Sequence, residues 1–483
     1  MNRKMILYIM GMLLLCEAGL MLLPVFVDLY YREGKFLSYL ITIFALLVAG
    51  VAFTRIKPKN KTIHARDGFV IVSFGWIILS LFGALPFFLT GEIPNYLDAV
   101  FESVSGFTTT GASILGNVEA LCHANLFWRS FTHWIGGMGV LVFIMAVLPL
   151  AGGGGDLHLM RAESPGPDVG KLVPKSISTA RILYGIYLAL TLIEFIMLLI
   201  GGMSFFDSIT HTFGTAGTGG FGIKNNSLAG YNGYIQGVIT VFMALFGVNF
   251  NLYFLLLCGK FKDVFKSEEL RAYVLIMFTA ILVITFDIRG FFTTGIESFR
   301  HAAFQVSSVM TTTGFSTADF NQWPDLSKVI LLLVMCVGSC AGSTGGGIKV
   351  SRIILVLKNS KRELKRLLHP RSVNVVKFDG KRVTDDVMQG TSVYMCLYVL
   401  ILAASVVLVS FDNVDIVSNF TGVIATLNNI GPGLGAVGPT GNFAVYSWYS
   451  KCVFIVDMLF GRLEIFPLLL LFSKKPKSRK NVL

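Results

Sequence analysis

Apolar stretches long enough to cross a bilayer alternate with short polar segments along this chain. Ten can be read: roughly 5–28, 36–54, 68–90, 126–150, 182–201, 235–258, 272–288, 327–357, 388–411 and 445–472. A helix needs about 20 apolar residues to span the hydrocarbon core. Four other segments are too short for that. Each has about a dozen residues, follows a span after a brief polar turn, and ends in a polar loop closing on glycine. The loops are Thr108-Thr109-Thr110-Gly111, Gly217-Thr218-Gly219-Gly220, Thr311-Thr312-Thr313-Gly314 and Asn428-Asn429-Ile430-Gly431, with closing glycines 109, 94 and 117 residues apart.

The segments before the loops also match. Asp98 and Asp207 each stand 13 residues before their glycine, and Ser418 takes that position in the fourth copy. Phe101 and Phe304 both stand 10 residues before theirs. Aspartate and serine are good N-caps, so a helix of about three turns is expected from each such position. So short a helix dips into the membrane and turns back, with the negative end of its dipole at the centre, where it favours a cation. Irregular backbone at that depth must line water or be buried in protein. The unit is therefore span, half-helix, loop, span, repeated four times. The expected architecture is an all-α integral membrane fold of ten transmembrane helices. Residues 1–66 supply two extra helices, and pore repeats occupy 67–155, 156–262, 263–368 and 369–483, the last with a basic C-terminal tail.

Composition sharpens this picture. Hydrophobic residues make up 54% of the 483 and charged ones 14%, with 41 Phe, which excludes a soluble globular chain. The N-terminal stretch has a basic start, but its apolar run is too long for a signal peptide and no small-residue cleavage site follows. A net charge of +12 raises the question of a nucleic-acid partner. However, 31 of the 40 Lys and Arg fall in 1–4, 55–66, 151–181, 259–271, 349–386 and 473–483. These are alternate connections in the ten-span reading, so the positive-inside rule puts them and both termini in the cytoplasm, and no nucleic-acid partner is implied. Seven scattered cysteines without a CxxC pair read as buried thiols. The histidines lack metal-ligand spacing. No catalytic triad or Walker loop is present, and Gly217-Thr-Gly-Gly-Phe-Gly222 lacks the preceding strand of a dinucleotide site. Nothing supports an enzyme or an organic cofactor.

The loop chemistry suits a cation filter. A ring of backbone carbonyls can replace an ion's hydration shell. Turning several carbonyls toward one axis needs conformations open mainly to glycine, for which Gly111, Gly220, Gly314 and Gly431 are the candidates. The filter residues are then Thr109, Thr110 and Gly111; Thr218, Gly219 and Gly220; Thr312, Thr313 and Gly314; and Asn429, Ile430 and Gly431. Fourfold symmetry is only approximate. The second loop has Gly217 and Gly219 where the first and third have threonine, and the fourth is followed by Pro432, which stiffens it.

These loops, together with Trp134-Ile-Gly-Gly-Met-Gly139, Gly338-Ser-Cys-Ala-Gly-Ser-Thr-Gly-Gly-Gly-Ile-Lys349 and Gly461-Arg-Leu-Glu-Ile465, resemble the Trk/Ktr superfamily of potassium transporters over essentially the whole chain. The likeness is strongest to its bacterial TrkH-type membrane subunits. The resemblance implies K+ as the permeant ion bound at the filter residues, one pore per protomer of a homodimer, and the bacterial cytoplasmic (inner) membrane as location. It also implies that Gly111, a position where sodium-permeable relatives often carry serine, favours potassium.

Five glycines in ten residues, 338–347, interrupt the span 327–357, and such a stretch makes poor helix. By resemblance it is an intramembrane loop that blocks the pore under the third filter. Gly342, Ser343, Thr344, Gly345, Gly346 and Gly347 are the expected gate. Arg462, a charge within the last span, faces a cavity or a partner. It can hold the gate closed by hydrogen bonding, or it can pair with Asp457 or Glu464. Glu17 and Glu194 are expected to make packing hydrogen bonds. The resemblance further implies cytosolic nucleotide-binding (TrkA-like) regulatory subunits, with the basic loop 358–382 as their landing site. Attraction of that loop to lipid headgroups is the alternative. Three functions stay open: a gated potassium-uptake pore, a Na+- or H+-coupled potassium symporter of the same fold, and a non-conducting scaffold.

Overall fold

The structure, a computed structural model, describes residues 2–58, 65–137, 139, 176–370 and 374–472. Helix α1 (Arg3–Leu20) continues into α2 (Leu22–Tyr31), and α3 (Phe36–Thr54) returns along α1. Then follow α4 (Ala65–Gly83), α5 (Leu85–Leu89), the short helix α6 (Tyr96–Phe107) and α7 (His123–Gly137). The order continues with α8 (Ser176–Ile200), the short α9 (Phe205–Ala216), α10 (Gly233–Phe246) and α11 (Phe250–Leu257). Next come α12 (Phe261–Lys266), α13 (Glu268–Asp287), the short α14 (Gly295–Met310), α15 (Asp325–Val337) and α16 (Val350–Leu368). A small antiparallel hairpin, β1 (Lys377–Phe378) and β2 (Lys381–Arg382), precedes α17 (Asp385–Val409), the short α18 (Ile416–Leu427), α19 (Trp448–Arg462) and α20 (Phe466–Phe472).

The molecule is inside out by the standards of a water-soluble protein. Phe44, Leu275, Phe286, Leu400 and Val407 stand exposed on long helices, while Thr110, Asn125, Thr312 and Asn429 are fully buried. Apolar helix faces outward and polar backbone inward is what a hydrocarbon solvent demands, and the chain is a multi-pass membrane protein. Six described spans are long and apolar enough to cross a bilayer, and a seventh is counted if α10 and α11 form one span bent by 91°.

Several expected spans are divided. The stretch 235–258 breaks between α10 and α11, where Asn249 caps the new helix by accepting from Asn251 N. At Gly247 a Cβ would lie 2.5 Å from the Tyr273 hydroxyl, so no side chain fits the corner. The stretch 445–472 breaks at Glu464 and Ile465, both left-handed, with φ of 54° and 66°. Helix α7 is described to Gly137, and most of the remainder of the span 126–150 lies outside the described residues.

The four short helices have 12, 12, 16 and 12 residues, close to three or four turns. Their N-caps are Asn95, Ser204, Thr294 and Asp415, each accepting from a backbone N–H of its first turn. Asp98, Asp207 and Ser418 are therefore not the caps: each lies three residues further in. The cap–x–x–polar spacing is that of a capping box, and in α9 Ser204 Oγ both donates to Asp207 Oδ1 and accepts from its N–H, at 2.7 and 3.1 Å.

Candidate functional site

The loops after the four short helices share one backbone geometry. Their second residues, Thr109, Thr218, Thr312 and Asn429, donate N–H to the carbonyl three residues back, at 2.9–3.2 Å. Their third residues, Thr110, Gly219, Thr313 and Ile430, donate to the carbonyl five back, at 2.8–2.9 Å. Positive φ recurs at two positions in each. The closing glycines have φ of 76°, 77°, 86° and 94°. The second residues, none of them glycine, have φ of 55°, 53°, 60° and 55°. Sequence reasoning assigned left-handed backbone to the glycines alone and missed this second position, where a β-branched residue is ordinarily disfavoured.

The loops also touch in cyclic order. A Cβ built on Gly111 would sit 1.9 Å from Gly219 O, one on Gly220 1.9 Å from Thr313 O, and one on Gly314 2.2 Å from Ile430 O. On Gly431 it would lie 2.8 Å from Thr110 O, which closes the circle. Each closing glycine thus leaves room for a carbonyl of the next loop. A point at the Gly111 Cβ is also 3.7 Å from Thr313 O, so carbonyls of different loops crowd together. Such a cluster of carbonyl dipoles is repulsive by itself and is relieved by a cation among them.

The loops differ in what stands behind them. In the first and third, threonine hydroxyls bridge within the loop, Thr108 to Thr110 and Thr311 to Thr313, each at 2.8 Å. In the fourth, Asn429 Nδ2 donates to Thr110 Oγ1 and to Met458 O, both at 2.9 Å. In the second, the buried imidazole of His133 fills the space: a Cβ on Gly219 would lie 2.2 Å from His133 Nδ1, and one on Gly217 2.2 Å from His133 O. That is why this loop carries glycine where the first and third carry threonine.

Residues 338–349 interrupt α15 and α16 and pack against the ring. Gly346 N donates to Thr312 Oγ1 at 2.6 Å, and a Cβ there would lie 2.5 Å from Asn428 O. The segment also lies in the corner between α10 and α11, through Cys340 N to Gly247 O (3.1 Å) and Phe250 N to Gly342 O (3.0 Å). Glu269 at the start of α13 accepts from Ala341 N at 2.7 Å and from Ser351 N at 3.1 Å. Gly338, Gly342 and Gly347 have positive φ. Thr344, Gly345, Gly346 and Gly347 are buried, Ser343 is half-buried and Gly342 is exposed.

Arg462 joins these parts. Its guanidinium donates to Thr109 Oγ1 (3.2 Å) in the first loop, to Thr344 O (3.0 Å) in the glycine-rich segment, and to Gly136 O and Gly137 O (3.0 Å for the latter) at the end of α7. Glu464 is engaged by Arg352, and Asp457 accepts from Ser405 Oγ at 2.7 Å. Glu17 and Glu194 are buried, yet no described donor reaches either carboxylate in hydrogen-bonding geometry. The expected basic loop 358–382 is instead the second half of α16 followed by the β1–β2 hairpin, joined where Lys358 pairs with Glu268 and donates to Lys377 O at 2.7 Å and where Glu268 N donates to Asp379 Oδ1 at 2.6 Å.

Comparisons with known proteins converge. The TrkH family model, described as cation transport protein, matches residues 36–483. The Trk system potassium uptake protein TrkH of Escherichia coli (strain K12) is 38% identical over 481 residues, covering 98% of this chain and 99% of that protein. The TrkH of Vibrio parahaemolyticus is 39% identical over 485 residues, with 98% and 99% covered. The crystal structure of the potassium transporter TrkH from Vibrio parahaemolyticus superposes with a TM-score of 0.88 at 36% identity, covering 98% of this chain and 99% of that one.

Proposed function

Because the chain belongs to the TrkH family of cation transport proteins, we propose that it is a potassium-uptake transporter of a bacterial inner membrane. Potassium passes inward through a filter formed by the carbonyls of the four loops. The observation that carries this reading is the closed ring in which each closing glycine accommodates a carbonyl of the next loop. The residues involved are Thr109, Thr110, Gly111, Thr218, Gly219, Gly220, Thr312, Thr313, Gly314, Asn429, Ile430 and Gly431. Four such quarters in one polypeptide correspond to the four pore repeats, with residues 1–66 outside them.

In the same reading, residues 342–347 are the gate. They lie against Thr312 and Asn428 and are tethered by Arg462, so permeation requires them to move. Cytosolic nucleotide-binding subunits of a Trk system bias that movement from the basic face around 358–382. The protein works as a homodimer with both termini cytoplasmic.

The test is rubidium uptake into proteoliposomes under separately imposed potassium, sodium and proton gradients. Uptake driven by the potassium gradient alone is expected. A strict need for a second ion selects coupled symport instead, and no flux under any gradient, with or without the cytosolic subunit, sinks the transport reading. Deleting 342–347 should raise uptake, and unchanged uptake refutes the gate. Gly314→Ser should erode potassium over sodium discrimination, because its Cβ would meet Ile430 O at a strained φ.

A further inference from the structure

One buried charged pair lies beside the ring without belonging to it. Glu102 of α6 is 1% exposed and Arg129 of α7 is 2% exposed. Arg129 Nε donates to Glu102 Oε1 at 2.8 Å, and Nη2 lies 2.7 Å from the same oxygen. Taking both charges out of solvent costs several kcal/mol per ion, so their remaining contacts carry the explanation.

Those contacts lead to two neighbouring loops. The Glu102 carboxylate accepts from Ser113 Oγ, at 3.0 and 3.1 Å to its two oxygens, and from Ile114 N at 3.2 Å. Ser113 and Ile114 are the second and third residues after Gly111. Arg129 Nη1 donates to Gly222 O at 3.1 Å, and its guanidinium carbon lies 4.0 Å over the Phe221 ring. Phe221 and Gly222 are the first and second residues after Gly220. One ion pair therefore fastens the strands leaving the first and second loops, within three residues of each closing glycine.

Between the other strands leaving the loops the described bonds are neutral, while Lys451 of α19 pairs with Asp98 of α6 at 2.7 Å. Leu228 N donates to Ser316 O at 3.0 Å between the second and third strands, and Gly435 N donates to Asn321 Oδ1 at 3.0 Å between the third and fourth. Phe443 N donates to Ser113 O at 2.9 Å between the fourth and first. The second loop is also the richest in glycine, and its one described internal side-chain bond runs from Thr218 Oγ1 to Gly217 O at 2.6 Å. Glycine stands at 217, 219, 220 and 222, and it has no threonine–threonine bridge. Glycine backbone is the most easily deformed, so this quarter needs an external brace.

We propose that Glu102 and Arg129 are positioning residues for ion discrimination: their ion pair holds the strands leaving the first two loops, and with them the carbonyl ring, at the spacing that rejects the smaller sodium ion. This rests on the potassium-filter reading. A braced ring cannot contract around a smaller ion, whereas a loosened one can. Loss of the brace therefore changes the ratio of fluxes, while a pair that only stabilised the fold would scale both fluxes together.

The experiment uses the full chain in proteoliposomes and compares rubidium with sodium uptake. Glu102→Gln should lower the rubidium-to-sodium ratio tenfold or more. Arg129→Lys keeps the charge but loses the bond to Gly222, and should lower the ratio too. Ser113→Ala removes one donor at a half-buried site and should shift it several-fold in the same direction. Assembled variants with the wild-type ratio overturn the proposal. If the two charge variants fail to assemble, an unchanged ratio in Ser113→Ala refutes it alone. A wild-type protein that carries neither ion, or does not discriminate, instead refutes the filter reading.

Discussion

Replacing Arg462 with alanine separates a lock from a bystander. Arg462 makes its contacts to the end of α7, to the first loop and to the glycine-rich segment. Of these bonds, the one to Thr344 O, at 3.0 Å, ends on the segment that moves in the proposed reading; the others named hold the arginine in place. A hydrogen bond from a charged donor contributes about 1.5–3 kcal/mol. At about 1.4 kcal/mol per factor of ten, losing it shifts the balance between blocked and open forms roughly ten- to a hundredfold. The shift is bounded, because Gly346 N still reaches Thr312 Oγ1 and Cys340 N still reaches Gly247 O. Rubidium uptake without the cytosolic subunit should therefore rise within that range and stop short of an ungated leak.

A second effect works in the same direction: a fixed positive charge beside a cation path repels the ion. Arg462→Lys separates the two. Lysine keeps the charge, but its compact ammonium cannot serve four spread acceptors at once. If the tether dominates, both variants conduct more than the wild type to a similar degree. If the charge dominates, only alanine does. Wild-type uptake by both variants, with normal elution on size-exclusion chromatography, refutes the reasoning.

Two smaller predictions concern the ring's supports. Gly219→Ala puts a methyl within 2.2 Å of His133 Nδ1, an overpacking worth about 1–3 kcal/mol; adding His133→Ala should destabilise less than the sum of the single changes in detergent melting curves, and strict additivity would refute the contact. At the N-terminal end of α18, donation from the Ser418 hydroxyl holds the Asp415 carboxyl below the usual carboxylate range. A depressed folded pKa gives stability that is complete above the ordinary value of about 3.9 and lost as pH falls through the lower folded value. Opening of the first turn of α18, read by hydrogen exchange corrected for intrinsic rates, should stay flat from about pH 7 to 5 and rise only in stronger acid. A rise already between pH 7 and 5 sinks the assignment.

The sequence made much of this site visible because glycine is a strong marker. Gly111, Gly220, Gly314 and Gly431 stand out in polar loops, and all four have positive φ. What stayed hidden had weaker or contrary signals. Asn95 and Asp98 are both good capping residues, so the caps were placed three residues late. The break after Phe246 involves no proline and ran on as one apolar stretch, whereas Pro467, in the first turn of α20, was a legible signal for the break after Leu463. The Glu102–Arg129 pair spans 27 positions, although two opposite charges in one apolar repeat could have drawn attention to it.

The left-handed Thr109, Thr218 and Thr312 are a different case, because propensity points away from β-branched residues there, whereas Asn429 of the fourth loop is a residue type that tolerates it. A β-branched residue held there costs on the order of 1–3 kcal/mol, so the three threonines store several kcal/mol against the ring. Contacts from outside the loops add to the bonds within them, such as Thr218 Oγ1 to Gly217 O at 2.6 Å. Thr110 is held by Asn429 of the fourth loop, Thr312 by Gly346 of the interrupted span, and Thr109 by Arg462 of the last. The first and third loops are therefore held in part by their neighbours. It follows that loosening the glycine-rich segment should also disturb the ring, since Gly346 N is the donor that holds Thr312 in its strained turn. In the proposed reading gate and filter share that bond, so a variant that opens the gate by breaking it should also lose some discrimination between ions.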